Sequence, residues 1–121
     1  MNFKQGLPIY AQIAARLTDE ILSGKYPPGA RIPSVREYSA LLEVNINTTM
    51  KGYELLAREG VVENRRGMGY FVSDDAIGRL EKQRRKEFFE EDLPELLHRM
   101  QQIGISRDEL IKHLKKSAGD M

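Results

Sequence analysis

The chain contains no cysteine. That absence removes disulfides, thiolate catalysis and cysteine-based zinc sites together, and it fits a reducing, cytoplasmic setting. No apolar run approaches the roughly 18 residues that a membrane span requires, so no membrane partner is expected. The opening MNFKQGLPIY lacks the basic-then-apolar layout of a secretion signal. Enzymatic signatures are missing as well: there is no nucleophile–base pair, no metal-ligand spacing and no phosphate loop. The glycines of RRGMGYF have no strand-to-helix context. The two histidines, His98 and His113, have no second ligand three or four residues on. Surface or interface positions are expected of them, with no metal and no cofactor. Internal repeats and low-complexity segments are absent too.

What is present fits one domain, or a small domain with an appendage: 121 residues, of which 40% are hydrophobic. The net charge of +1 says little about partners, but its distribution says more. No acid occurs between Val44 and Tyr53, and Arg31, Arg36, Lys51, Arg65 and Arg66 lie in or near that stretch. Acids collect instead between Glu87 and Glu95. Local field, not total charge, steers a phosphate backbone.

Residues Pro8–Ser23 read as a first helix, with Tyr10, Ile13, Ala14, Leu17 and Ile21 on one stripe and Gly24 as its stop. KYPPGARIP is a turn-rich connection. Ser34 with Glu37 forms a capping box that opens a short second helix, whose Tyr38, Leu41 and Leu42 should face inward. Glu43-Val44-Asn45 turns the chain. Asn45 or Asn47 caps a third helix running to Glu59, with Met50, Tyr53, Leu56 and Ala57 inside and Asn45, Asn47, Thr48 and Lys51 opening the other face. After Gly60, the β-prone runs Val61–Glu63 and Tyr70–Val72 flank a basic, glycine-rich tip and predict a hairpin.

Helix, turn, helix and then a basic wing is a DNA-reading order. A helix enters the major groove with its N-terminal residues reaching base edges first. Asparagine matches adenine edges, and threonine can meet base, phosphate or thymine methyl. Helix N-termini add free amides and a positive dipole end for phosphates. Arg36 can reach a base or phosphate beside the second helix. Arg65 and Arg66 sit on a tip where Gly67 and Gly69 allow close approach to a strand or the minor groove. Taken singly, each feature has a plainer reading: a helix cap for Asn45 and Asn47, an ion pair with Glu37 or Glu43 for Arg36, and a solvated turn for the arginines. Tyr38, Tyr53 and Tyr70 read as core or hydroxyl-anchoring residues.

Beyond Asp74-Asp75 the pattern turns helical and charged, giving expected domains of 1–73 and 74–121. Ile77, Leu80 and Arg84 begin a stripe that Phe88, Phe89, Leu93, Leu96, Leu97, Met100 and Ile103 continue. Pro94 should kink or restart the helix, with Asp92 as a fresh cap. Gly104 ends it, Ser106 with Glu109 opens a last helix carrying Leu110, Ile111 and Leu114, and KKSAGDM should fray. So short a tail cannot bury the Phe88–Ile103 stripe within itself. Either the stripe folds back on its own chain, or it pairs two copies into a homodimer that spaces two recognition helices roughly 34 Å apart on a palindromic site. The competing function is a protein-interaction module using the same polar helix face.

PIYAQI, GKYPPGARIPSVRE, VNINTT and LLAREGVVENRRGMGYFV resemble, in order and without gaps over roughly the first 72 residues, the N-terminal domain of the GntR family of bacterial transcription regulators. The tail resembles that of the short YtrA-type subfamily. The resemblance implies a mostly α fold with a small β-hairpin: a winged helix-turn-helix DNA-binding domain followed by a C-terminal helical dimerisation tail. It implies a sequence-specific, cytoplasmic regulator, a repressor that acts by occluding a promoter, with a double-stranded DNA operator and a second copy as partners. Arg36, Asn45, Asn47, Thr48, Lys51, Arg65, Arg66 and Gly67 are its implied DNA-binding residues. The dimerisation set is Phe88, Phe89, Leu93, Leu96, Leu97 and Met100. A small-molecule effector, unidentified in the sequence, would have to enter at the dimer interface or near Asp74. Ile46 stands where relatives often have Pro or Arg, so no base contact is assigned to it. Gly52 stands where Ala is usual, which costs about 1 kcal/mol of helix propensity and would let the helix approach something closely.

Overall fold

The computed structural model describes residues 6–118. Helix α1 spans Ile9–Leu22, α2 Val35–Leu42 and α3 Ile46–Arg58, followed by strands β1 Val62–Arg65 and β2 Gly69–Val72. Helices α4 (Ala76–Glu87), α5 (Leu93–Ile103) and α6 (Arg107–Ala118) complete the chain, with a π-helical turn over Phe88–Asp92 between α4 and α5. The mostly helical fold with one antiparallel hairpin is the one expected.

Local chemistry sets the ends of these elements. Pro8 stands outside α1 as its N-cap, its carbonyl accepting from the amides of Ala11 and Gln12. The Ser34 box is fully formed: Glu37 N–H donates to Ser34 Oγ at 3.0 Å and Ser34 N–H donates to Glu37 Oε1 at 3.1 Å. The second of these contacts engages the Glu37 carboxylate, and the Ser34 backbone amide, with the Ser34 hydroxyl as the smaller cause, holds its pKa below the usual carboxylate value. Glu43 closes α2 in the left-handed region at φ 56°. Asn45 is the cap of α3, its Oδ1 accepting from Asn47 N–H at 2.7 Å.

The first compact unit ends at Lys82. Its core joins Ile13, Ala14, Leu17 and Ile21 of α1 to Ile32, Tyr38, Tyr53, Leu56, Val61, Val62 and Val72. Tyr53 is the hub. Its hydroxyl donates to the Pro33 carbonyl at 2.6 Å, and its ring meets Tyr70 edge-on at 5.1 Å and Tyr38 at 6.1 Å. The Tyr38 hydroxyl donates to the Glu20 carboxylate, which also pairs with Lys25 at 3.0 Å. Ala76 and Leu80 are buried in this same core. Asp75 pairs with Arg79 at 2.7 Å, and the Arg79 guanidinium lies against Gly60. These contacts carry the unit past residue 73, where the change in composition had suggested its edge.

Two residues expected inside are not. Leu41 is 62% exposed and Met50 37%. Thr49 takes the place of Met50, fully buried with its hydroxyl donating to the Asn45 carbonyl at 3.3 Å. The reason lies at Gly52, where a Cβ would stand 2.9 Å from the Tyr10 carbonyl oxygen and 3.3 Å from Ile13 Cγ2. Lacking that atom, α3 presses its Thr49–Gly52–Tyr53–Leu56 side onto α1.

The connection before α2 is more than a turn. Gly29 N–H donates to Val72 O, Val72 N–H to Ala30 O and Ile32 N–H to Tyr70 O, at 2.8–3.0 Å, with Arg31 bridging Phe71. Residues 29–32 thus strap β2 along its outer edge.

The second unit begins at Gln83. Pro94 does not restart its helix behind an Asp92 cap. Asp92 keeps helical dihedrals and caps nothing, while Leu93 N–H donates to Phe88 O five residues back. The wider turn absorbs the amide that proline lacks. Gly104 closes α5 at φ 73°, and Ser106 Oγ caps α6 by accepting from Glu109 N–H at 3.1 Å. Helix α6 holds through Lys115, Lys116 and Ser117, where fraying was expected; Gly119–Met121 lie outside the described residues.

Candidate nucleic-acid interface

Helical geometry divides α3 cleanly. Thr49, Gly52, Tyr53 and Leu56 are buried, and the opposite row is Asn47, Lys51, Glu54 and Arg58, all exposed. Thr48 lies half-buried at one margin, and Ile46 and Met50 lie exposed at the other. Of the predicted residues on this helix, Asn47 and Lys51 therefore share a face one turn apart. Asn45 does serve as a cap, which engages its Oδ1 and the Asn47 amide. Ser34 engages the Glu37 amide likewise. Each helix end thus has one amide fewer to offer a phosphate than its bare geometry suggested.

Arg36 is exposed in the first turn of α2 and makes no ion pair among the described residues. Its neighbour Glu37 is turned back to the Ser34 amide, which leaves the guanidinium unspent.

The wing separates its two arginines. Strand pairing puts Arg65 opposite Gly69, and Met68 N–H donates to Arg65 O at 2.8 Å to close the tip. The Arg65 guanidinium lies 4.3 Å from the centre of the Phe71 ring and 3.5 Å from Glu63, so it stiffens the hairpin. Arg66 has no partner among the described residues, and Gly67 beside it has a φ of 77°. A third cation, not assigned to the site from sequence, stands at the wing: the Arg31 Nε would be 2.9 Å from a Cβ at Gly69. Sequence placed Arg31 only among the cations near the acid-free stretch, and its β-bridge to Phe71 is what brings it to the wing. Among the described residues no group of three His, Asp or Glu side chains could hold a metal ion, and no helix is long and apolar enough to cross a membrane.

The model of the bacterial regulatory proteins of the gntR family matches residues 9–72, the stretch from α1 to the end of the wing. The chain belongs to the GntR family. It is a GntR-family transcriptional regulator with a winged helix-turn-helix DNA-binding domain. Among its GntR-family relatives is the HTH-type transcriptional repressor YtrA of Bacillus subtilis (strain 168), 31% identical over 118 residues that span 98% of this chain and 90% of that protein. A GntR family transcriptional regulator from Listeria monocytogenes superposes with a TM-score of 0.77 at 32% identity, covering 94% of this chain and 98% of that one. Both matches include the tail, which sets the chain in the short YtrA-type subfamily. The DNA-binding domain of AraR, solved in complex with operator ORR3, is similar over 60% of this chain and 88% of that one, with 29% identity and a TM-score of 0.55.

Proposed function

We propose that the protein is a homodimeric, cytoplasmic repressor that occupies a palindromic operator, with α3 in the major groove and the wing in the minor groove. The observation that carries this is the pairing of an acid-free α3 start, exposing Asn47 and Lys51, with two uncommitted arginines, Arg36 and Arg66. In this reading Asn47 and Thr48 address base edges, Asn45 keeps its amide NH2 as a donor, and Lys51 and Arg36 take phosphate or base. Arg66 and Gly67 enter the minor groove, and Arg65 holds the wing in shape at its rim. The AraR domain on its operator and the repressor name of YtrA support the class of target and the direction of control.

The second unit supports the dimer. Phe88, Phe89, Leu96 and Leu97 are exposed at the seam and Leu93 is half-buried, whereas Met100 is only 6% exposed within the single chain. The first five then form the contact, with Met100 as its floor. A single winged domain buries too little for specific affinity, and two provide it.

The test is a gel shift on the DNA upstream of the chain's own gene, at two salt concentrations. Arg36→Ala and Arg66→Ala each weaken binding by about 1–3 kcal/mol with folding intact. Wild-type affinity falls steeply between low and moderate salt as counterions are released. Unchanged affinity in both variants removes this assignment.

A further inference from the structure

Two apolar side chains stand uncovered among polar ones at the start of α3. Ile46 is 46% exposed, and Met50, one turn on, is 37% exposed. Both flank Asn47 and Lys51, while Thr49, Gly52, Tyr53 and Leu56 supply the buried side of the helix. Neither belongs to the core cluster of its own unit. We propose that Ile46 and Met50 read thymine, by packing against C5-methyl groups in the major groove. This rests on the operator-binding reading above and names the base it selects.

An A·T pair shows one apolar group on its major-groove edge, the thymine methyl, and apolar side chains are what recognise it. The first turn of a groove-lying helix reaches base edges first, and Ile46 is the first residue of α3. Asn47 stands next to it, and asparagine is suited to the adenine N6 and N7 edge. An asparagine for adenine beside an isoleucine for thymine methyl is a matched set for an A·T-rich step. No acid lies between Val44 and Tyr53 to repel the flanking phosphates. A protein-docking surface needs contiguous apolar area. Here the apolar area is only two neighbouring side chains bordered by Asn47 and Lys51, which suits point contacts with single methyl groups.

The experiment uses the full chain. A binding site is first obtained by in vitro selection from random duplexes, and each thymine of that site is then replaced singly by deoxyuridine. Uracil keeps the pairing and removes only the methyl. At one or two positions per half-site the wild-type chain should bind about fourfold more weakly. Ile46→Ala and Met50→Ala should each erase the uracil penalty at its own position, with the melting temperature kept. Insensitivity of the wild type to uracil at every position overturns the proposal without recourse to any variant, as does a penalty that survives in both variants. An unchanged uracil profile with an altered oligomeric state in Ile46→Ala assigns the pair to a protein contact and overturns it too. If the chain enriches no sequence at all, the operator reading itself fails and takes this inference with it, a result distinct from binding that ignores the methyl.

Discussion

Gly52→Ala and Gly78→Ala are the same change in two helices, and the structure gives them opposite signs. Each gains helix propensity, about 0.8–1 kcal/mol in a helix interior. At Gly78, in the first turn of α4, a Cβ meets nothing within 4 Å, so about half of that gain survives as stabilisation. At Gly52 the new carbon would stand 2.9 Å from the Tyr10 carbonyl oxygen and 3.3 Å from Ile13 Cγ2. The first of these is backbone within a helix and cannot swing aside. Forcing a methyl into a packed seam costs about 1–3 kcal/mol, so the clash outweighs the propensity and a net loss of about 1 kcal/mol is expected. For a unit of this size that lowers the melting midpoint by about 4–8 °C, while Gly78→Ala raises it by about 2–4 °C. Thermal melts followed by circular dichroism, with urea midpoints at unchanged m-value as a second measure, decide the matter. A Gly52→Ala chain melting at or above the wild type would refute the reasoning, because α3 would then not be held against α1 by the missing side chain.

Three further outcomes are expected. Tyr53→Phe removes the donor to the Pro33 carbonyl and should cost about 1–2 kcal/mol in urea unfolding; no change would mean that water satisfies that oxygen equally well. Burial, the larger cause for each, pushes the phenol pKa of Tyr38 and Tyr53 upward, and the Glu20 carboxylate pushes Tyr38 further. The unfolded chain ionises near the ordinary value of about 10 while the folded chain keeps its protons, so stability is full below that pH and falls above it. In an absorbance titration these two phenols should ionise only as the chain unfolds, and ionisation in the folded state at ordinary pH values would contradict the burial. Leu96→Asp should convert the proposed dimer to a monomer in light scattering, whereas a wild-type chain already monomeric at micromolar concentration removes the seam.

Much of the fold was legible because its signals are local. Ser34 with Glu37, Asn45, Gly24, Gly60 and Gly104 each act within a few residues, and the hairpin follows from its tip. What was not legible depends on contacts between distant residues. Met50 and Thr49 are neighbours on a helix, and the period alone could not decide which is buried. That turns on how closely α3 meets α1 at Gly52. Arg65 and Arg66 look alike in sequence, yet only the strand register puts one against Phe71 and leaves the other unattached. The π-helical turn at Phe88–Asp92 is a backbone answer to Pro94 that side-chain patterns do not advertise. Within the candidate site, the residue types were readable and their commitments were not.

The strap of residues 29–32 along β2 has a consequence for affinity. A lone two-stranded hairpin is marginal in water, and one that frays must be ordered anew at each encounter with a ligand. Fastening its outer edge to the chain before α2 meets that ordering cost once, during folding. In the proposed complex Arg66 is then displayed on a pre-ordered hairpin, and less conformational entropy is lost when the duplex arrives.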